Sequence, residues 1–177
     1  MDADSAGEFR RYVAARSGTL WRQAYLMCGD RHHAEDLVQA ALAKLYVKWK
    51  AVRRRDAVDA YTRRVLVRLC IEQTHPRRRR EQSVDTVPEP AAGSAGSAGS
   101  AAVEERAVLL EALARLAPGQ RAVIVLRFWE DLSIEETASV LGCSTGTVKS
   151  QTARGLDGLR EVLRGFEGFE MLTGETA

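Results

Sequence analysis

Apolar residues recur three and four positions apart along most of this chain, the spacing that predicts amphipathic α-helices. In the first half, three helices are predicted: Ser5 to about Cys28 with an interruption near Ser17-Gly18, Ala34 to about Trp49, and Val58 to about Thr74. Gly29-Asp30 is expected to turn the chain, and Arg53 to Asp56 to form a basic loop. We therefore expect an all-α fold.

The second half predicts four shorter helices. The first two run from Val103 to Leu116 and from Gln120 to about Trp129, and Ala117-Pro118-Gly119 breaks the chain between them. The other two lie in the segment from Leu132 onward. Together they would make a small four-helix domain.

That segment, Leu132–Ser150, is typical of a helix-turn-helix. Ser133 can cap the first helix, and Glu136 three residues later completes the capping-box pattern. Gly142 stands where this helix must stop, because glycine tolerates the left-handed conformation of a helix C-cap. Ser144 can then cap the second helix. Units of this kind place their second helix in the DNA major groove.

The second helix begins with small, polar and basic side chains, and an apolar stripe at Val148, Leu156, Leu159 and Leu163 marks its buried side. Hydroxyl and amide groups can read base edges, and cationic groups can hold phosphates. A helical hairpin within a bundle is the alternative interpretation. The residues expected at DNA are Ser144, Thr145, Thr147, Lys149, Ser150, Gln151 and Arg154.

A segment rich in Pro, Gly, Ser and Ala separates the two halves at residues 83–103. Such a composition cannot bury enough surface to offset the entropy of ordering it. The predicted architecture is therefore two small helical domains, 1–82 and 104–164, joined by a flexible linker. A tail at 165–177 carries Phe166 and Phe169 and either frays or folds back.

The two domains differ in charge. Residues 1–82 carry 18 Lys/Arg against 10 Asp/Glu, whereas residues 104–164 carry 8 against 9. The first domain thus has the charge that a nucleic-acid backbone requires. Three cysteines without a close pair, and no apolar run of membrane-spanning length, argue against a disulfide framework and a membrane segment. We expect a cytoplasmic protein.

Arginines and a tyrosine of the first domain are the candidates for binding nucleic acid. Cationic grooves track a strand and aromatic rings stack on its bases. A solvated basic face is the alternative, and Tyr61, like Trp49, is more often a core residue than a stacking platform. The candidates are Arg53, Arg54, Arg55, Tyr61, Arg63, Arg64, Arg68, Arg77, Arg78, Arg79 and Arg80.

No convincing catalytic or metal-binding constellation is visible in the sequence. His32 and His33 are adjacent, so on a helix they point in different directions and make a poor chelating pair. Glu35 and Asp36 fail as an acid/base pair for the same reason. We expect no enzyme activity, no cofactor and no metal.

Several motifs of both predicted domains together resemble bacterial RNA polymerase sigma factors of the extracytoplasmic-function class, group 4 of the sigma-70 family. The most similar branch is the actinobacterial SigE-like one, which the run Gln151–Leu156 indicates. The order of the motifs and the linker between them also agree. The segments that resemble region 2 are Asp30–Gln39 and Ala60–Val67. Those that resemble region 4 are Leu116–Arg121, Leu126–Phe128, Leu132-Ser133, Glu136–Ala138, Leu141-Gly142 and Ser144–Ser150.

The resemblance implies a protein that binds core RNA polymerase and directs it to promoter DNA. Region 4 would read the −35 element with the helix-turn-helix residues, and region 2 would read the −10 element and hold its open strand with the arginine-rich set. Glu35, Asp36 and Gln39 would contact core polymerase, although acids at a helix start also favour the helix dipole. The linker is either inert or threads through the polymerase. The sequence also leaves open whether an anti-sigma factor is a partner.

Two departures limit what the resemblance implies. Arg68 stands where the family commonly has Asn, and Gln73-Thr74-His75-Pro76 interrupts the usual continuation of the third helix, so no −10 sequence preference is carried over. The main alternative is a stand-alone helix-turn-helix regulator that binds DNA without core polymerase. It would explain the second domain but not the arginine-rich first domain. A module that binds polymerase without initiating transcription is a third possibility.

Overall fold

The computed structural model describes residues 3–52, 55–73 and 100–165, without side chains at residues 3, 55–57 and 100–103. All regular structure in these ranges is helical, which confirms the all-α prediction. The helices are α1 (Ala3–Cys28), α2 (Arg31–Val52), α3 (Arg55–Gln73), α4 (Ser100–Arg115), α5 (Pro118–Ile124) with a π-helical turn (Val125–Trp129), α6 (Ile134–Leu141) and α7 (Thr145–Arg164).

Two details of the first domain differ from the sequence prediction. The interruption at Ser17-Gly18 is wrong, because α1 runs unbroken through it and the Ser17 hydroxyl donates to the carbonyl oxygen of Val13 at 2.6 Å. Leu20, Ala24 and Met27 beyond this point are buried, so tertiary packing overrides the weak local propensity. The basic loop is also shorter than predicted, since Arg55 and Asp56 belong to α3.

The turn between α1 and α2 forms as predicted. Gly29 adopts a left-handed conformation with a φ of 77°. The carboxylate of Asp30 then accepts a hydrogen bond from the backbone N–H of His33 at 2.6 Å, which satisfies an open donor at the start of α2. The two helices are consequently antiparallel neighbours with α3 packed against both.

The second domain is held by close approaches to α7. An added Cβ at Gly155 would lie 2.9 Å from Cγ1 of Ile124, and one at Gly158 would lie 2.8 Å from Cδ2 of Leu116. These glycines let α7 pack directly on α4 and α5. The predicted helix ending at Trp129 begins at Pro118 and widens over its last turn, where the N–H of Glu130 donates to Val125 at 3.1 Å.

The two domains share one apolar core, which nothing in the sequence pattern indicated. Residues of α1, α2 and α3 form a single buried cluster with residues of the second domain. Val140 and Leu141 of α6 pack against this cluster from one side. The buried residues of the second domain in this cluster are Ala122, Val125, Leu126 and Leu132.

Candidate nucleic-acid interface

The helix-turn-helix has the caps that its sequence predicts. The Glu136 N–H donates to the Ser133 hydroxyl at 3.0 Å, and the Ser133 N–H donates to the Glu136 carboxylate at 2.7 Å. The backbone N–H and then the hydroxyl of Ser133 hold the pKa of Glu136 below its ordinary 4.5. Gly142 ends α6 in the left-handed region with a φ of 67°.

The recognition helix α7 begins at a second cap. The hydroxyl of Ser144 accepts the N–H of Thr147 at 3.1 Å and lies 2.9 Å from the Thr147 hydroxyl. Both hydroxyls are therefore already engaged with each other, yet both side chains remain exposed. Val148, in contrast, is fully buried and anchors the helix against Val123 and Ala138.

Most side chains predicted to meet the major groove are accessible on α7 and at its cap. Cationic groups can reach phosphates, and short polar side chains can read base edges. Gln151 is half-buried. The exposed members of the predicted set are Ser144, Thr145, Thr147, Lys149, Ser150 and Arg154.

Three of the predicted strand-holding arginines come together on one side of α3, and we call Arg63, Arg64 and Arg68 the α3 cationic face. Arg68 is exposed and lines a cavity between α3 and α6. A terminal nitrogen of Arg63 lies 3.5 Å from the carboxylate of Glu130, and Arg64 donates to the hydroxyl of Ser139 at 3.2 Å. Both partners belong to the second domain.

The remaining candidates of the first domain are placed less fully. Tyr61 is half-buried and packs against Leu45, Trp49 and Val58, so its ring is largely a core element. Trp49 is 5% exposed and belongs to the core. Arg55 lies in the first turn of α3, and its side chain is not described. Arg53, Arg54, Arg77, Arg78, Arg79 and Arg80 lie outside the described residues.

The predicted polymerase contact lies on the outer surface of α2. Glu35, Asp36 and Gln39 are exposed, whereas Leu37 and Ala41 on the opposite side are buried. The helical spacing thus separates a polar surface from a core surface within the same two turns. Leu42 and Leu45 pack inward, Leu45 in full burial.

A buried arginine that was not predicted from the sequence, Arg121, joins the domains. Arg121 donates to the carbonyl oxygens of Met27 at 2.7 Å and of Ala114 at 2.6 Å. Met27 is in the last turn of α1 and Ala114 in the last turn of α4, where helix carbonyls lack an intrahelical partner. One guanidinium therefore satisfies the ends of two helices, one in each domain. Its signal in the sequence is a cation directly before the buried run Ala122-Val123-Ile124.

A second interdomain contact uses aromatic rings. Trp21 and Tyr25 of α1 are stacked, with ring centroids 5.1 Å apart. The guanidinium of Arg106, from α4, lies 5.7 Å from the Tyr25 ring centroid, and that of Arg31 lies 5.5 Å from the Trp21 centroid. Cations over ring faces are attracted by the ring quadrupole. α4 is thereby tied to the outer surface of α1.

Within the described ranges, nothing indicates catalysis or a membrane span. Burial raises the pKa of Cys28 to about 11 and that of Cys70 further, so neither thiol ionises at neutral pH. No group of three or more potential metal ligands occurs among the residues that the structure covers. No helix in the same ranges is long and apolar enough to cross a bilayer.

Two family models match the chain, each on one of the two domains. The model of sigma-70 region 2 matches residues 12–82, and that of sigma-70 region 4 matches residues 106–157. The matched segments are separated by the Pro/Gly/Ser/Ala-rich segment. Region 2 therefore contains the α3 cationic face, and region 4 contains the helix-turn-helix.

Similar proteins and similar structures agree with these matches. The RNA polymerase sigma-E factor of Streptomyces coelicolor is 41% identical over 156 residues, 88% of this chain and 86% of that protein. The sigma factor SigV of Bacillus subtilis is 29% identical, over 80% of this chain and 82% of its own length. The sigma factor RpoE of Bartonella quintana, solved with the anti-sigma factor NepR, has a TM-score of 0.71 at 24% identity and covers 89% of this chain and 98% of that one. The chain belongs to the extracytoplasmic-function sigma factors of the sigma-70 family.

Proposed function

We propose that this protein binds core RNA polymerase in the cytoplasm, carries it to promoters through a −35 and a −10 element, and leaves all catalysis to the polymerase. The observation that carries the proposal is the presence of two separate surfaces with exposed cationic side chains, one in each matched region. The outer side of α7 suits duplex DNA, and the α3 cationic face suits an opened strand.

The −35 element is assigned to α7. Lys149 and Arg154 are exposed cations on this helix, and Thr145 and Ser150 are exposed short polar side chains near its start. This arrangement supports phosphate contacts that fix the register and hydroxyl contacts that read base edges. Because Ser144 and Thr147 bond each other, we assign them primarily to positioning α7 rather than to reading bases.

The −10 element is assigned to the α3 cationic face. Arg64 and Arg68 are four residues apart and share one side of α3, and the adjacent Arg63 lies 3.5 Å from Glu130. Planar guanidinium groups bind phosphates through paired hydrogen bonds and stack on bases. We assign Glu35, Asp36 and Gln39 on α2 to core polymerase, where exposed acids meet a basic surface.

The stand-alone regulator is the competing assignment, and dependence on core polymerase separates the two. A gel shift with labelled genomic fragments, with and without the core polymerase of Streptomyces coelicolor, is the first measurement. We expect a promoter-specific shift only with core, followed by run-off transcription from mapped start sites. A specific shift without core, and no run-off product with it, would favour the regulator.

A charge reversal tests the polymerase contact. Asp36→Lys should abolish co-elution with core on gel filtration, because it places a cation against the basic surface proposed to meet α2. Glu161→Lys is the matched control, since Glu161 is exposed on α7, far along the chain from the proposed contact. Equal co-elution of the two variants would contradict the assignment of Asp36.

A further inference from the structure

The α3 cationic face is one of the parts of region 2 that region 4 contacts, beside α1 and the shared apolar cluster. Two of its three arginines are engaged across the domain boundary, Arg63 by the Glu130 carboxylate and Arg64 by the Ser139 hydroxyl. The Arg63 side chain is 21% exposed and that of Glu130 only 9%, so this ion pair is largely shielded from water. Such a pair is screened less by salt than an exposed one.

Apolar packing beside these contacts fixes the same arrangement. Val140 and Leu141 of α6 pack against the shared core, and they line a cavity together with Val67 and Ile71 of α3. Arg68 borders this cavity as well. The α6 helix therefore lies along the side of α3 from which the cationic face emerges.

Glu130 offers Arg63 what a phosphate would offer. A carboxylate and a phosphate are both oxygen anions that accept hydrogen bonds from a guanidinium. A phosphate that bound Arg63 or Arg64 through the same nitrogen would replace Glu130 or Ser139 there. Region 4 and a single strand thus make the same kind of contact with the same side chains.

We propose that region 4 acts as an internal competitor for the single-strand surface of region 2, so that Arg63 and Arg64 bind either Glu130 and Ser139 or nucleic acid. The inference rests on the assignment of the α3 cationic face to the −10 strand. In the closed state the outer side of α7 remains exposed, so duplex binding by region 4 does not require opening. Strand contact with Arg63 does require it, whereas Arg64 and Arg68 are exposed in the closed state.

The apparent affinity for a strand is the affinity of the open state multiplied by the fraction of molecules that are open. Removing a closing contact raises that fraction, and the affinity should rise by the same factor. A partly buried ion pair of this type corresponds to about a three- to fivefold change. A charge placed in the apolar packing of α6 on α3 should give about a tenfold change or more.

The test is fluorescence anisotropy of the full chain with a short labelled oligo-dT. Glu130→Gln keeps the shape of the side chain and removes its charge. Glu135→Gln is the matched control, since Glu135 is exposed on α6 and the charge change is identical. We expect Glu130→Gln to bind about three- to fivefold more tightly than Glu135→Gln, and equal affinities would overturn the proposal.

Two further variants complete the test. Val140→Asp should bind about tenfold more tightly than wild type, with circular dichroism verifying that the chain remains helical. Arg63→Ala should lose affinity in the Glu130→Gln background, because Arg63 has lost its charged partner there and is free to hold the strand. An unchanged affinity for that double variant would refute the −10 assignment itself, whereas failure of Glu130→Gln alone would refute only the competition.

Discussion

The two proposed nucleic-acid surfaces of this protein differ in their availability. The outer side of α7 is exposed, and its hydrogen bonds stay within the helix and its cap. The α3 cationic face, in contrast, is partly covered by region 4, which supplies an anion for Arg63 and a hydroxyl for Arg64. One small protein can therefore have its duplex-binding surface exposed while its single-strand surface is partly covered.

The means of attachment differ as well. Within region 4, glycines allow α7 to touch α4 and α5 directly. Between the regions, a shared apolar cluster is combined with a buried guanidinium that satisfies helix-end carbonyls on both sides and with the ion pair between Arg63 and Glu130. The polar contacts can be exchanged for nucleic-acid contacts, whereas the packing inside region 4 cannot be exchanged without unfolding it.

The largest expected effect comes from breaking region 4 alone. Gly155→Val would place methyl groups where even a Cβ lies 2.9 Å from Ile124, and overpacking of this type costs about 1–3 kcal/mol. We expect −35 duplex binding to fall while oligo-dT binding rises, because the competitor is lost. Gly146→Ala on the same helix has no such neighbour and should leave both unchanged. Parallel loss of both activities would contradict the separation of the two surfaces.

A smaller loss is expected from the interdomain arginine. Arg121→Met keeps the apolar stem but leaves the carbonyls of Met27 and Ala114 without their donor, at a cost of about 2 kcal/mol in the free energy of unfolding. Urea denaturation measures this change. Arg115→Met is the control, because Arg115 is exposed and bonds only within α4 through Glu111 at 2.6 Å. If the urea midpoint of Arg121→Met shifts no more than that of Arg115→Met, the contacts of Arg121 do not stabilise the protein.

The recognition surface can be sharpened by salt titration. Arg154→Ala should lower the slope of log affinity against log salt for −35 duplex by about one, as expected for one lost phosphate contact. Arg160→Ala removes the same charge from a later turn of α7, where Arg160 pairs with Asp157 at 2.8 Å, and should leave the slope unchanged. Identical slopes for both variants would count against Arg154 as a phosphate contact. Lys149→Ala should behave like Arg154→Ala.

The smallest effect concerns pH and is confined to α6. The pKa of Glu136 is lowered by the Ser133 N–H, so its capping contribution is present above the unfolded value of about 4.5 and is lost as pH falls through the lower folded value. Glu136→Gln keeps the box without the charge and should remove this pH dependence from the stability of region 4. The free energy of unfolding of the wild type should fall below pH about 4.5, and that of Glu136→Gln should not. An equal pH dependence of the two proteins would be inconsistent with the capping box.

The sequence predicted best what is decided locally. Ser133, Glu136, Gly142 and Ser144 form the predicted caps because each acts on backbone within three or four residues of itself. The burial of Val148 and the exposure of Lys149 follow from helical spacing alone. The local structure of the proposed −35 surface could therefore be predicted from the sequence.

What the sequence could not predict depends on contacts between distant residues. Glu130 and Arg63 are 67 positions apart, and neither carries a local signal of the other. Arg121 reads as a surface cation until the ends of α1 and α4 are brought to it. The Ser17-Gly18 interruption failed for a related reason, because packing on both sides of the site holds α1 straight. Long-range packing decided each of these features.

The most direct test of the account is the distance between the two regions during strand binding. Fluorescence energy transfer between labels at exposed Lys44 on α2 and exposed Arg160 on α7, each replaced by cysteine in a chain whose native cysteines are serine, reports on that separation. We predict efficient transfer in the free protein and a fall in efficiency as oligo-dT saturates the α3 cationic face, but no fall with −35 duplex. Saturation by oligo-dT at constant transfer efficiency would contradict competition between region 4 and the strand.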